Sequence, residues 1–214
     1  MSLIALNAST SQAGLALLDH HGHVLHSWTA PLKPGLIETL PLLLKDAAAG
    51  QNITDVAVCT GPGSFTGLRT SIALAQGFAA GMGAVLWGIP VWDAYKATVK
   101  DLSRPLWVVI RARKGRVFLL RNDGNAESCA DDALPIPQDP IILAGEAAAL
   151  LAPALTARGA DVVLAPHPLP DASCIGLVAH QYRIKGDKPK PAIPLYVDPP
   201  EAKLPAGGLR PNPL

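Results

Sequence analysis

Apolar positions in the first hundred residues fall into short runs and helical stripes. Residues 3–6, 15–18 and 24–28 read as strands, and the turn Asp19-His20-His21-Gly22-His23 joins the last two at hairpin length. Over residues 35–49, Leu36, Leu40, Leu43, Leu44 and Ala47 share one helical stripe, with Pro34 and Gly50 as punctuation. Pro41 lies inside that helix and is expected to bend or restart it, because it has no N–H to donate. Residues 53–59 form a buried-type strand, 68–81 a helix, 85–89 a strand and 91–101 a helix.

This β-β-β-α-β-α-β-α order is that of a ribonuclease-H-like unit, the half from which actin, sugar kinases and heat-shock ATPases are built. Such an order speaks to fold and leaves function open. Residues 103–105 mark a boundary. Beyond it, residues 106–113 and 116–121 predict a hairpin around Lys114-Gly115, and the polar, Pro-containing stretch 126–140 a loop. Residues 141–145 then predict a strand, 146–155 a helix, 162–165 a strand, 172–183 a helix and 193–197 a short extended piece. The expected architecture is α/β. An actin/heat-shock-ATPase-like (ribonuclease-H-like) unit spans residues 1–104, and an abbreviated α/β unit spans 105–214, with a loose Pro-rich tail over 199–214. No internal repeat is evident in the sequence.

Charge narrows the function classes. The 18 Lys+Arg and 17 Asp+Glu leave a net +1, and only 16% of residues are charged, against about 25% in ordinary domains. That balance argues against a basic nucleic-acid clamp and an acidic disordered tail. It also hints at apolar surface that the chain does not cover itself. The three cysteines, Cys59, Cys129 and Cys174, form no CxxC pair and suit a reducing compartment. The first residues lack the basic start of a signal peptide, and glycines break the nearest approach to a spanning segment at 71–89. The expected location is the cytoplasm, away from membranes.

One loop carries a motif, Thr60-Gly61-Pro62-Gly63-Ser64-Phe65-Thr66-Gly67-Leu68-Arg69, between a strand and a helix. A loop of this kind can aim N–H groups at an anion, with Thr66 as a candidate N-cap and Arg69 in the first turn. It lacks the Lys of a P-loop, and its third Gly comes one residue late for a dinucleotide fingerprint. The alternative is a tight strand-to-helix turn whose glycines permit close backbone packing.

Catalytic constellations are missing from the pattern. His20, His21, His23, His26, His167 and His180 make no H-x3-H pair, and GxSxG is absent. Asp19, Glu38, Asp46, Asp55 and Asp93 show no acid/base pairing. We therefore expect no catalytic residue and no metal ligand.

Two helices have surplus apolar surface. Leu36, Ile37, Leu40, Leu42, Leu43, Leu44, Ala47 and Ala48 nearly encircle one axis. On the other helix, Ala73, Gly77 and Gly81 form one small-residue stripe, and Ser71, Ala75 and Ala79 a second. Either both helices are covered within the chain, or Leu36, Ile37, Leu40, Leu43, Leu44, Ala73, Gly77 and Gly81 meet the same pair of helices on a related chain in a four-helix contact.

The stretch GPGSFTGLR at 61–69 resembles the signature of the bacterial TsaB family, the non-catalytic dimerisation subunit of the tRNA threonylcarbamoyladenosine machinery. The opening LIALNASTSQAGLALLD, the triplet Ala75-Gln76-Gly77, RARKGRVF at 111–118 and IPLYVDPPEAK at 193–203 resemble other parts of that family. The resemblance is dense over residues 1–120 and sparse over 121–190. It implies a heat-shock-ATPase-related fold and a heterodimer with the catalytic paralogue TsaD. It also implies TsaE in a larger complex, TsaC as a functional partner and tRNA as an indirect one. The assembled system attaches threonylcarbamoyl to N6 of adenosine 37 in tRNAs that read ANN codons. The resemblance implies no cofactor for the chain alone. It leaves room for a nucleotide at the partner junction, touched by Ser64 and Arg69, and for a homodimer of the free chain.

Several positions depart from the family pattern: Asn7 where an aspartate is common, Pro34-Gly35 where a His-containing stretch often precedes the first helix, Arg111 and Arg116 where acids are usual, and Phe118 at a tyrosine position. Two other readings stand beside the scaffold. One is an autonomous glycoprotease-like metallopeptidase or nucleotide-dependent phosphotransferase, which the missing ligands oppose. The other is a direct tRNA binder using the basic hairpin Arg111, Arg113, Lys114, Arg116 and Arg121, whose charges equally suit a protected strand edge.

Overall fold

The computed structural model describes residues 1–32, 36–99, 102–113, 115–121, 124–166 and 169–198, with the side chains of all but 36–38. The expected tail at 199–214, Lys114 and His167 lie outside the described residues.

The first sheet begins with β1 (Ser2–Asn7), whose residues are all buried. A strand covered on both faces reads as an unbroken apolar run, and LIAL does so between Ser2 and Asn7. β1 pairs antiparallel with β2 (Gln12–Asp19), and β2 with β3 (Val24–Pro31). On its other side β1 runs parallel to β4 (Ile53–Gly61), which pairs in turn with β5 (Val85–Pro90). Helix α1 (Leu36–Ala48) connects β3 to β4, and α2 (Phe65–Met82) connects β4 to β5. Helix α3 (Val91–Thr98) follows β5 directly.

The second sheet repeats this plan. Its strands are β6 (Leu106–Arg111), β7 (Arg116–Arg121), β8 (Asn125–Ala130), β9 (Ile141–Ala144) and β10 (Val162–Leu164). Orders β3-β2-β1-β4-β5 and β8-β7-β6-β9-β10 correspond strand for strand. The two copies differ where the first has α1. In the second, residues 131–140 form no helix, and α4 (Ala148–Ala157) alone bridges β9 and β10. The chain closes with α5 (Ala172–Lys185).

Several sequence expectations need correction. Pro41 does not interrupt α1, which runs through it as one helix. The missing N–H of residue 41 costs the helix one hydrogen bond without splitting it in two. The stretch 126–140 is not all loop, because its first residues form β8 against β7. NAESCA is an edge strand of small and polar residues, which gives no apolar alternation to read.

Helix α5 follows the second sheet in sequence yet packs on the first. Gly176 sits so close to β2 and β1 that an added Cβ would lie 2.4 Å from Leu18 Cδ1 and 3.2 Å from Ala5 Cβ. Ile175, Val178 and Ala179 of α5 join Leu3, Ala5, Ala16 and Leu18 in one core. That core continues through Trp92 and Tyr95 of α3 into Leu106, Val108, Ile110 and Ile142 of the second sheet. A separate core on the far face of the first sheet holds Ile4, Leu6, Val56 and Val58 against Leu44, Leu68, Ile72 and Ala75. The layers run α1 and α2, first sheet, α3 and α5, second sheet, α4. Asp55 fixes the α5 end: it is 4% exposed and accepts from Trp87 Nε1 at 2.9 Å, Thr54 Oγ1 at 2.8 Å and Arg183 Nη1 at 3.1 Å.

The segment after α5 is a strap. Its Lys190 carbonyl accepts from Gly88 N–H at 2.9 Å, and Ala192 from Gln76 Nε2 at 3.0 Å. Further on, Leu195 N–H donates to Thr60 at 2.8 Å, and Ser128 Oγ donates to Asp198 at 3.3 Å. It therefore links the edge of β5, the middle of α2, the end of β4 and the second sheet.

Candidate functional site

The glycine loop is shaped by what lies beneath it. A Cβ on Gly63 would fall 2.0 Å from the Ser9 carbonyl oxygen, and one on Gly67 would fall 1.9 Å from that of Ala8. The turn between β1 and β2 passes directly under the loop, so only hydrogen fits at those two positions. Ser64 N–H donates to the Ser9 carbonyl at 2.7 Å, which removes it from any anion cradle. Ser64 is also the N-cap of α2, accepting from Gly67 N–H at 3.3 Å, so Thr66 is not the cap and the helix starts earlier than expected. Of the two readings of the loop, close packing accounts for its glycines.

Asn7 completes the same junction. Its Nδ2 donates to the Pro170 carbonyl at 2.9 Å, while Oδ1 accepts from Ser9 N–H at 3.0 Å and Ser9 Oγ at 2.7 Å. The residue is 3% exposed. A carboxylate could not donate to Pro170, so asparagine here is a structural requirement of this chain. The Glu146 carboxylate, unremarked in the sequence, accepts from Ser11 N–H and ties the second unit to the same turn.

Beside the loop lies a cavity of about 530 Å³, bounded by Phe65, Arg69, Arg111, Phe118 and Tyr196. Arg69 Cζ stands 3.9 Å from the Phe65 ring centre, and Nε donates to Tyr196 Oη at 2.8 Å. Gly63 and Gly67 pack on the turn and Gly61 against Leu68, while Gly63, Ser64, Phe65 and Arg69 line the cavity.

The expected partner surface divides between core and exterior. On α2, Ser71, Ala75 and Ala79 are buried on the sheet, and Ala73, Gly77 and Gly81 face outward. Nothing lies within 4 Å of a Cβ built on Gly77 or Gly81. On α1, Leu40 is 1% and Leu44 2% exposed, so both belong to the chain's own core rather than to an exposed contact. Leu40 packs with Ala8 and Ala13, and Leu44 with the core on the far face of the first sheet, because the stripe that points at the sheet passes through both. Leu43 is half-buried, Leu42 is 64% exposed, and the side chains of Leu36 and Ile37 lie outside the described residues. Between the helices runs an open apolar groove of about 630 Å³, with Pro41, Leu44, Leu74, Gly77, Phe78 and Met82 in its walls. Phe78 and Met82, one turn apart, are the groove residues that the small-residue stripe did not reveal.

Chemistry is sparse elsewhere. Burial pushes the Cys59 and Cys174 thiols up to about 11, out of the range of a nucleophile at neutral pH. Among the described residues, no three of His, Cys, Asp and Glu come together to hold a metal ion. The histidines of the β2–β3 turn surround Asp19, which accepts from His21 and His23 N–H at 2.9 and 2.8 Å. In the basic hairpin, Arg116 donates to Ser128 Oγ and its carbonyl, and Arg121 pairs with Glu127 at 2.6 Å. Those two guanidiniums hold β7 to β8. No helix of the described residues is long and apolar enough to cross a membrane.

Comparisons with known proteins place this geometry. The family described as "TsaD: tRNA N6-adenosine threonylcarbamoyltransferase" matches residues 36–196. An uncharacterised protein of Mycobacterium tuberculosis is 34% identical over 168 residues, covering 75% of this chain and 72% of that one. The tRNA threonylcarbamoyladenosine biosynthesis protein TsaB of Bacillus subtilis is 25% identical over 122 residues, covering 55% of this chain and 53% of its own. The structure of YeaZ from Pseudomonas aeruginosa superposes with a TM-score of 0.71 at 20% identity, over 91% of this chain and 99% of that one. The ethanolamine utilization protein EutJ of Carboxydothermus hydrogenoformans shares the actin-like, ribonuclease-H-like fold at a TM-score of 0.52, with 12% identity over 83% and 90% of the two chains. This chain belongs to the TsaD/YeaZ (TsaB) family.

Proposed function

We propose that the chain is a cytoplasmic, non-catalytic scaffold subunit that binds a catalytic TsaD paralogue. In this reading it enables threonylcarbamoyl transfer to N6 of adenosine 37 in tRNAs reading ANN codons, with TsaE in the larger complex and TsaC acting beside it. The supporting observation is the outward face of α1 and α2, where the groove runs beside Gly77 and Gly81 with nothing above them. Small residues let a partner helix approach closely, and Leu42, Phe78 and Met82 supply apolar contact area around them. The same α-helical pair on a paralogous chain would complete a four-helix contact. The chain brings no cofactor of its own; a nucleotide at the junction would meet Ser64 or Arg69 from the partner's side.

The test is reconstitution. Threonylcarbamoylation of tRNA by the purified paralogue is measured with and without this chain, beside metal analysis of the chain alone. Strict dependence on the chain supports the scaffold. Undiminished modification in its absence, or stoichiometric zinc or iron in the purified chain, would sink it in favour of an autonomous enzyme.

A further inference from the structure

The cavity beside the glycine loop takes in Ser64 and Arg69, where the scaffold reading leaves room for a nucleotide, but its rings and guanidiniums stand together without any partner chain. Its volume of about 530 Å³ lies between the start of α2, the β6–β7 turn and the strap. Small-molecule sites have this size and favour such junctions. Phe65, Phe118 and Tyr196 provide rings, and Arg69, Arg111 and Arg113 provide guanidiniums. Arg69 sits against two of the rings, with Cζ 3.9 Å from the Phe65 centre and 5.5 Å from that of Tyr196. Phe65 is 56% and Tyr196 48% exposed, so this stack keeps an open face. The Arg111 guanidinium makes no hydrogen bond or ion pair with the described residues. Asp198, the carboxylate in the lining, is engaged by Ser128 Oγ at 3.3 Å.

A flat ring can stack on an Arg–aromatic platform, and an uncommitted guanidinium pairs with an anionic group. We propose that this cavity binds a small aromatic anion, its ring on the Phe65–Arg69–Tyr196 stack and its charge on Arg111. A bare anion would leave the rings uncovered, and a neutral ring would leave Arg111 without a partner.

Two dyes separate these contributions. Anilinonaphthalene sulfonate carries fused rings and a sulfonate, and N-phenyl-1-naphthylamine carries the same rings without charge. Titration of the full chain with the sulfonate, followed by fluorescence, should saturate at one dye per chain. Arg111→Gln should weaken it about tenfold, the loss of one charge-assisted hydrogen bond, and Phe65→Ser should weaken it as well. The neutral dye should bind more weakly and be indifferent to Arg111→Gln. Gly77→Arg, which fills the other apolar groove, should leave the sulfonate affinity unchanged. Equal affinities for the two dyes, an unaltered Arg111→Gln titration, or loss of binding in Gly77→Arg would each overturn the proposal. Arg111 is exposed and its guanidinium has no partner among the described residues, so its variant keeps the fold and the comparison stays clean.

Discussion

Replacing single glycines of one chain should move its stability in opposite directions. At Gly67 a new Cβ lies 1.9 Å from the Ala8 carbonyl oxygen, and at Gly63 it lies 2.0 Å from that of Ser9. Relief requires the loop to retreat from the β1–β2 turn by roughly 1 Å, well beyond what a packed backbone absorbs freely. Overpacking of this kind costs about 1–3 kcal/mol. The retreat also stretches the Ser64–Ser9 bond, now 2.7 Å, which adds about 1 kcal/mol. Gly63→Ala and Gly67→Ala should thus each destabilise by about 2–4 kcal/mol. Gly77→Ala meets open space in mid-helix and should stabilise by up to about 1 kcal/mol through helix propensity. Urea unfolding with unchanged slope reads all three. If Gly63→Ala and Gly67→Ala unfold at the wild-type midpoint, the glycines do not serve close packing, and the reasoning fails.

Other consequences follow from the same contacts. Asn7→Asp places a carboxylate against the Pro170 carbonyl and should destabilise by about 1–3 kcal/mol at pH 7. Its folded pKa would be raised, so the deficit should shrink as pH falls through that pKa toward 4, which urea melts at several pH values would show. Arg183→Ala leaves the buried Asp55 carboxylate with only Trp87 and Thr54 as donors; a loss of about 2 kcal/mol is expected, discounted because Arg183 is partly exposed. Burial holds the Cys59 and Cys174 thiols near 11. Thiolate forms only as pH approaches that value, so labelling of the folded chain by a disulfide reagent should keep rising past pH 9. Leu40→Asp should prevent folding altogether, since Leu40 is core.

The strand–helix order of the first unit was legible because each element there carries its own pattern. LIAL, LALL and the stripe through Leu40 and Leu44 are local signals. The two small-residue stripes of α2 were visible too, and the structure turns Ser71, Ala75 and Ala79 inward and Ala73, Gly77 and Gly81 outward. What escaped depended on distant chain. β8 has no apolar alternation and exists only because β7 offers it an edge. The placement of α5 on the first sheet rests on Gly176 fitting over Leu18, from which it is separated by the whole second sheet. Leu40 and Leu42 look alike in sequence, and only the direction of the helix decides that one is core and the other exposed. The topological repeat was hidden for the same reason: the second copy keeps strand order and loses a helix, leaving no period to detect.

The central claim is that the outward face of α1 and α2 receives the catalytic paralogue. The most direct measurement is calorimetric titration of this chain, wild type and Gly77→Arg, with purified TsaD. Gly77 is exposed and a Cβ added there meets nothing within 4 Å, so the variant should match or exceed wild type in thermal stability. The account predicts saturable 1:1 binding for wild type and none detectable for Gly77→Arg. Equal affinity for the two proteins would contradict it.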